Sequence, residues 1–154
     1  MMHVCVGGTF NFFHKGHELL LKTAVEQAGN KGYIFIGITS GDLVKKKQKL
    51  RSIEERKNDV KLFLLTLEIK PIIEIQAITD IFGPTLKKDF DVIVVSPETK
   101  KTAEYINNTR EKRGLETMHI VEIPFILAED GLPIQSRRII AGEIDRCGNI
   151  NTKR

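Results

Sequence analysis

His3-Val4-Cys5-Val6-Gly7-Gly8-Thr9-Phe10-Asn11-Phe12-Phe13-His14-Lys15-Gly16-His17 is a stretch across which the hydrophobic period changes. His3 to Val6 is a short apolar run closed by Gly7-Gly8, the pattern of a buried strand. Beyond His17, Leu20, Leu21, Ala24, Val25 and Ala28 recur at helical spacing until Gly29-Asn30 stops them. A strand, a glycine-rich turn and a helix starting near His17 make the first unit of a sheet covered by helices.

The alternation continues outward from this unit. Tyr33 to Ile38 is a second apolar run, ending at Thr39-Ser40-Gly41. Ser52-Ile53-Glu54-Glu55 reads as a capping box for a helix whose apolar face includes Val60, Phe63, Leu64 and Leu67, with Pro71 ending it. Ile72 to Ile78 is a third strand; Gly83-Pro84 punctuates the segment after it, so any helix there is short and starts near Pro84. Val92-Ile93-Val94-Val95 is an all-β-branched buried strand closed by Ser96-Pro97. A helix is expected from Glu98 to about Arg113 with Gly114 as its cap, then a fifth strand from Met118 to Ile123. Ser136 is expected to cap a last short helix running toward Gly142. The pattern predicts an α/β fold, a doubly wound, Rossmann-like five-stranded parallel sheet with helices on both faces. Residues 1–146 form its one domain, and 147–154 a polar tail that frays. Ligands of such sheets sit beyond the carboxyl ends of the strands. Attention therefore falls on Gly7 to His17, Thr39 to Lys47, Ser96 to Thr99 and Pro133 to Arg138.

Composition excludes several classes. The 154 residues are 41% hydrophobic and 29% charged, which suits one folded domain and excludes collagen-like and disordered chains. No apolar run approaches the roughly 20 residues of a membrane helix, and the N-terminus lacks a charged region followed by an apolar one. A cytoplasmic protein without a membrane partner is expected. Cys5 and Cys147 give neither a disulfide framework nor a metal-binding pair. The net charge of +4 concentrates at Lys45-Lys46-Lys47-Gln48-Lys49-Leu50-Arg51 and at Arg137-Arg138, suiting an anionic ligand.

Neither G-x-x-x-x-G-K-[ST] nor G-x-G-x-x-G occurs, so a P-loop enzyme and a dinucleotide-binding protein are unsupported. The first turn offers other means of holding a phosphate. Its glycines allow close backbone approach, the helix start exposes N–H groups, and two imidazoles bracket Lys15-Gly16. His3, His14, His17 and His119 have no metal-ligand spacing with a carboxylate or cysteine, so no protein-held metal is expected.

Gly7 to His17 resembles the (T/H)xGH signature of the nucleotidyltransferase superfamily. Ile134-Gln135-Ser136-Arg137-Arg138-Ile139-Ile140-Ala141-Gly142-Glu143-Ile144-Asp145 resembles its second signature, ISSTxxR, with the tail of archaeal-type phosphopantetheine adenylyltransferases. Glu54-Glu55-Arg56 and Ser96-Pro97-Glu98-Thr99 are further landmarks of the resemblance. Asn11 stands where the family usually has Asp, Gln135 and Arg137 where it has Ser and Thr, and Ile140 where its last Arg falls. The resemblance implies transfer of AMP from ATP to 4′-phosphopantetheine, giving dephospho-coenzyme A and pyrophosphate, with Mg2+ travelling on the ATP. It implies His17 on the α-phosphate, His14 beside it, and Gly8, Thr9 and Phe10 lining the groove where nucleotide and acceptor meet. Lys47, or Lys46, would neutralise the acceptor phosphate together with Thr9. Ser96 and Glu98 would border the adenosine, and Ser136, Arg137 and Arg138 would grip the β,γ-phosphates, with Arg137 or Arg138 replacing the missing guanidinium. The same histidine signature serves nicotinamide-mononucleotide adenylyltransferases and cytidylyltransferases. An inactive nucleotide- or RNA-binding module is the reading from another class; few aromatics and no stacking platform argue against a nucleic-acid partner.

Overall fold

The N-terminal apolar run forms β1 (His3–Gly8), the central strand of a five-stranded parallel sheet. In the computed structural model, which describes residues 1–44 and 49–152, it is joined by β2 (Tyr33–Thr39), β3 (Ile72–Ile78), β4 (Val92–Val95) and β5 (His119–Glu122). The order across the sheet is β3-β2-β1-β4-β5, with Val4 opposite Ile34 on one side and Val92 on the other. All four β4 residues are buried, as a β-branched run covered on both faces must be.

Helices α1 (Lys15–Ala28), α2 (Ile53–Leu65), α3 (Lys100–Lys112) and α4 (Ser136–Ile140) complete the fold. Alternation along the strands divides the core in two. Val4, Val6, Ile34, Ile36, Val92 and Val94 pack with Leu21, Val25, Val60 and Leu64 of α1 and α2. Cys5, Phe35, Ile93 and Val95 pack with Ala103 and Ile106 of α3 on the opposite face. Helices thus cover both faces, as the sequence predicts.

Some boundaries differ from expectation for identifiable reasons. Helix α1 starts at Lys15 rather than near His17, because the His14 side chain caps it. Ser52 and Glu55 form the expected capping box of α2. No helix follows Pro84; residues 83–87 form a turn, because the buried Arg110 guanidinium takes the carbonyls of Thr85 and Lys88 that a helix would need. Ser136 is the first residue of α4 instead of its cap, since Gln135 takes that position. The expected polar tail turns back: Glu129 N–H donates to the Gly148 carbonyl and Ile150 bridges Ile144. No described helix is long and apolar enough to cross a membrane.

Candidate active site

Strand connections leave β1 toward β2 on one side and come to lie on β4 on the other, so the loops after β1 and β4 diverge and leave a crevice at their carboxyl ends. A cavity of about 1100 Å³ occupies it, lined among others by Thr9, His14, His17, Ser96, Ser136 and Arg137.

The loop after β1 turns through two left-handed residues, Phe10 at φ 53° and Phe12 at φ 46°. Such conformations cost on the order of 1 kcal/mol or more each and persist where packing enforces them. Here the reward is separation of roles. The Phe10 ring drops into the core, while Gly8 and Thr9 line the cavity. Thr9 Oγ1 lies 2.8 Å from Thr39 Oγ1, joining the ends of β1 and β2. The expectation that Phe10 lines the groove is therefore corrected: its side chain packs in the core, tilted against His17 with ring centroids 5.4 Å apart.

The two imidazoles stack at 3.8 Å between centroids. Gly16 N–H donates to His14 Nδ1 at 3.0 Å, and His14 N–H donates to His17 Nδ1 at 3.1 Å. Each Nδ1 is an acceptor, so each neutral ring carries its hydrogen on Nε2 and keeps that N–H as a donor. Burial, and then the Arg146 charge, push His14 down to about 4; burial, His14 and Arg146 hold His17 well below the usual histidine value. Both rings are neutral donors near pH 7. A side chain at Gly16 would put its Cβ 2.9 Å from His14 Cε1, so glycine is what lets the ring fold over the helix start. Arg146 buttresses the pair from outside: its Nε donates to the Phe13 carbonyl at 2.6 Å and its guanidinium lies 6.0 Å from the Phe13 ring centre.

The other wall comes from the loop after β4 and from α4. Ser96 and Glu98 line the cavity, and Gln135 Nε2 reaches across to Glu98 Oε1 at 2.7 Å. Ser136 lines it too, with its hydroxyl donating to the Asn11 carbonyl. Arg137 and Ile140, three residues apart on one face of α4, share the cavity wall. Arg138 departs from its expected role at the phosphates. It is 4% exposed and its guanidinium is committed to Asp130, Glu143 and the Pro133 carbonyl. Of the two arginines, Arg137 is the one that lines the cavity. Lys46 and Lys47 lie outside the described residues.

The cytidylyltransferase-like family matches residues 5–142 of this chain. A Methanosarcina acetivorans protein named phosphopantetheine adenylyltransferase is 44% identical over 151 residues, 97% of this chain and 96% of that one. A protein of the same name from Archaeoglobus fulgidus is 40% identical, over 97% of this chain and 99% of its own. The chain belongs to the cytidylyltransferase-like family, among its phosphopantetheine adenylyltransferases. The fold agrees with a solved Archaeoglobus fulgidus protein of unknown function, 35% identical at a TM-score of 0.70, covering 79% of this chain and 89% of that one.

Several site residues of this cytidylyltransferase-like chain are not singled out by sequence. Lys49 lines the cavity beyond the three lysines that draw attention. Asn11 reads only as a departure from Asp, yet it ties the first loop to residues 49 and 51. Arg56 reads as one landmark of a charged helix start. It is 2% exposed, and it donates from Nε to the Arg51 carbonyl at 2.9 Å and from Nη1 to those of Thr9 and Thr39 at 3.0 and 2.7 Å. A buried, charged side chain spent wholly on backbone carbonyls leaves no mark in local spacing.

Proposed function

We propose that this chain transfers the adenylyl group of ATP to the phosphate of 4′-phosphopantetheine, yielding dephospho-coenzyme A and pyrophosphate, in coenzyme A synthesis in the cytoplasm. The observation that carries the reading is the pair of neutral imidazoles, whose Nε2–H groups have no hydrogen-bond partner among the described residues, on the wall of a crevice shared with Thr9, Lys49 and Arg137. In the reaction an acceptor phosphate oxygen forms a bond to the α-phosphorus as the bond from that phosphorus to the β-bridging oxygen breaks, and the electron pair leaves with pyrophosphate. Positioning and charge stabilisation supply most of the catalysis in such transfers. His17 donates to the α-phosphate as charge gathers there, and His14 donates beside it. Arg137 holds the departing phosphates with the backbone near Ser136. Ser96 and Glu98 border the nucleoside, and Gly8 and Thr9 floor the groove. Lys46 and Lys47 stay assigned to the acceptor phosphate. Mg2+ enters as part of the substrate MgATP.

The names of relatives about 40% identical over nearly the whole chain support this acceptor over nicotinamide mononucleotide. Pyrophosphate release is to be measured with MgATP or MgCTP against 4′-phosphopantetheine, nicotinamide mononucleotide and glycerol phosphate. The expected result is release with MgATP and 4′-phosphopantetheine. Release only with MgCTP, or only with another acceptor, overturns the reading.

A further inference from the structure

Three parts of the chain meet at Asn11, a residue that is 2% exposed. Its Nδ2 donates to the Lys49 carbonyl at 2.7 Å, its Oδ1 accepts from Arg51 N–H at 3.0 Å, and its main-chain oxygen accepts from the Ser136 hydroxyl. Arg56 grips the same segment through the Arg51 carbonyl and anchors it to the ends of β1 and β2 through Thr9 and Thr39. Lys49 O, Arg51 N and Arg51 O thus all end on two buried side chains. Lys49 itself is exposed and lines the cavity that Thr9, His14 and His17 also line.

We propose that Asn11 is a positioning residue for the anionic acceptor: its two-ended amide bridge sets Lys49 at the cavity wall, where Lys49 supplies a cation to the acceptor phosphate. This rests on the adenylyl-transfer reading of that cavity. The amide makes both bonds at once, since it carries a donor and an acceptor on one carbon whatever the pH. An ionised aspartate keeps the Arg51 bond but turns an oxygen on the Lys49 carbonyl, and two acceptors face each other in a buried place. The aspartate usual in the resembling superfamily therefore does not suit this clamp. Asn11 and Lys49 form a linked pair, and restoring the more common residue weakens the enzyme.

The test is steady-state pyrophosphate release by wild type, Asn11→Asp, Lys49→Met, Lys49→Arg and the double variant Asn11→Asp/Lys49→Met, varying 4′-phosphopantetheine and MgATP separately. Calorimetric binding of 4′-phosphopantetheine without nucleotide, and thermal unfolding, accompany it. Asn11→Asp and Lys49→Met are each expected to raise the acceptor KM and Kd about tenfold, the scale of one charge-assisted contact, with the MgATP KM nearly unchanged. Lys49→Arg retains most of the affinity. The double variant is no weaker than Lys49→Met, because both changes act through one ammonium. Wild-type affinity in Lys49→Met, or losses that multiply in the double variant, overturns the proposal. Lys49→Met alters an exposed side chain, so it decides even where Asn11→Asp unfolds. Wild type that binds 4′-phosphopantetheine without releasing pyrophosphate overturns the activity reading, while the binding constants still judge the clamp.

Discussion

His14 and His17 are donors because of what their other nitrogens do. With each Nδ1 accepting a backbone N–H, protonation would place two hydrogens against each other, and burial opposes the charge as well. The spacing of two histidines around Lys-Gly is legible in sequence, but their neutrality and tautomer arise from the backbone they cap. The arginine pair shows a similar limit. Arg137 stands one helical turn before Ile140 and shares its face, whereas adjacent residues on a helix point about 100° apart. Arg137→Ala is expected to raise the apparent KM for MgATP about tenfold while the thermal midpoint stays near wild type. Arg138→Ala should lower the midpoint, leaving Asp130 and Glu143 unpaired, with little change in KM for MgATP. The two cysteines offer a simpler check. Burial pushes the Cys5 thiol up to about 12, and Cys147 is exposed. A maleimide should label one thiol, Cys147, in the folded protein and both in denaturant.

At the scale of elements, α1 owes its start to imidazole. Ser52 and Glu55 make the more usual capping box at α2, and that one is readable from residue types alone. The His14 cap works only while the ring is neutral, which links helix, site and pH. The folded pKa of His14 lies near 4 against an ordinary value of 6.5, so as pH falls through that window the unfolded chain binds protons that the folded one refuses. Stability is present above about 6.5 and lost as pH falls toward 4. Histidine resonances followed by NMR should show His14 titrating far below the usual range; a midpoint near 6.5 would contradict the cap. The turn after Gly83 shows what keeps that segment from forming a helix. Its carbonyls are claimed by Arg110, a residue 25 positions from Thr85 and 22 from Lys88 that no local pattern connects to them. Arg110→Met is expected to cost about 3 kcal/mol in urea unfolding, the scale for stranding buried polar groups.

For the whole molecule, the alternation of strand and helix patterns names the five strands well, and β3 spans the predicted Ile72–Ile78. It does not state their order. Order depends on pairing between strands far apart in sequence, such as β1 with β4, and that pairing creates the crevice. Once the order is known, residues scattered from Thr9 to Arg137 become neighbours around one cavity. Cationic side chains likewise have distinct duties: Lys49 and Arg137 face the crevice, while Arg56, Arg110 and Arg138 are buried and hold the frame around it. We infer that adenylyl transfer in this crevice uses His17 as donor to the reacting phosphate. The most direct measurement is the turnover of His17→Ala in pyrophosphate release from MgATP and 4′-phosphopantetheine, with thermal unfolding as the control for folding. A loss on the order of a hundredfold or more in kcat from a folded variant is the predicted result; a folded variant with wild-type turnover would contradict it.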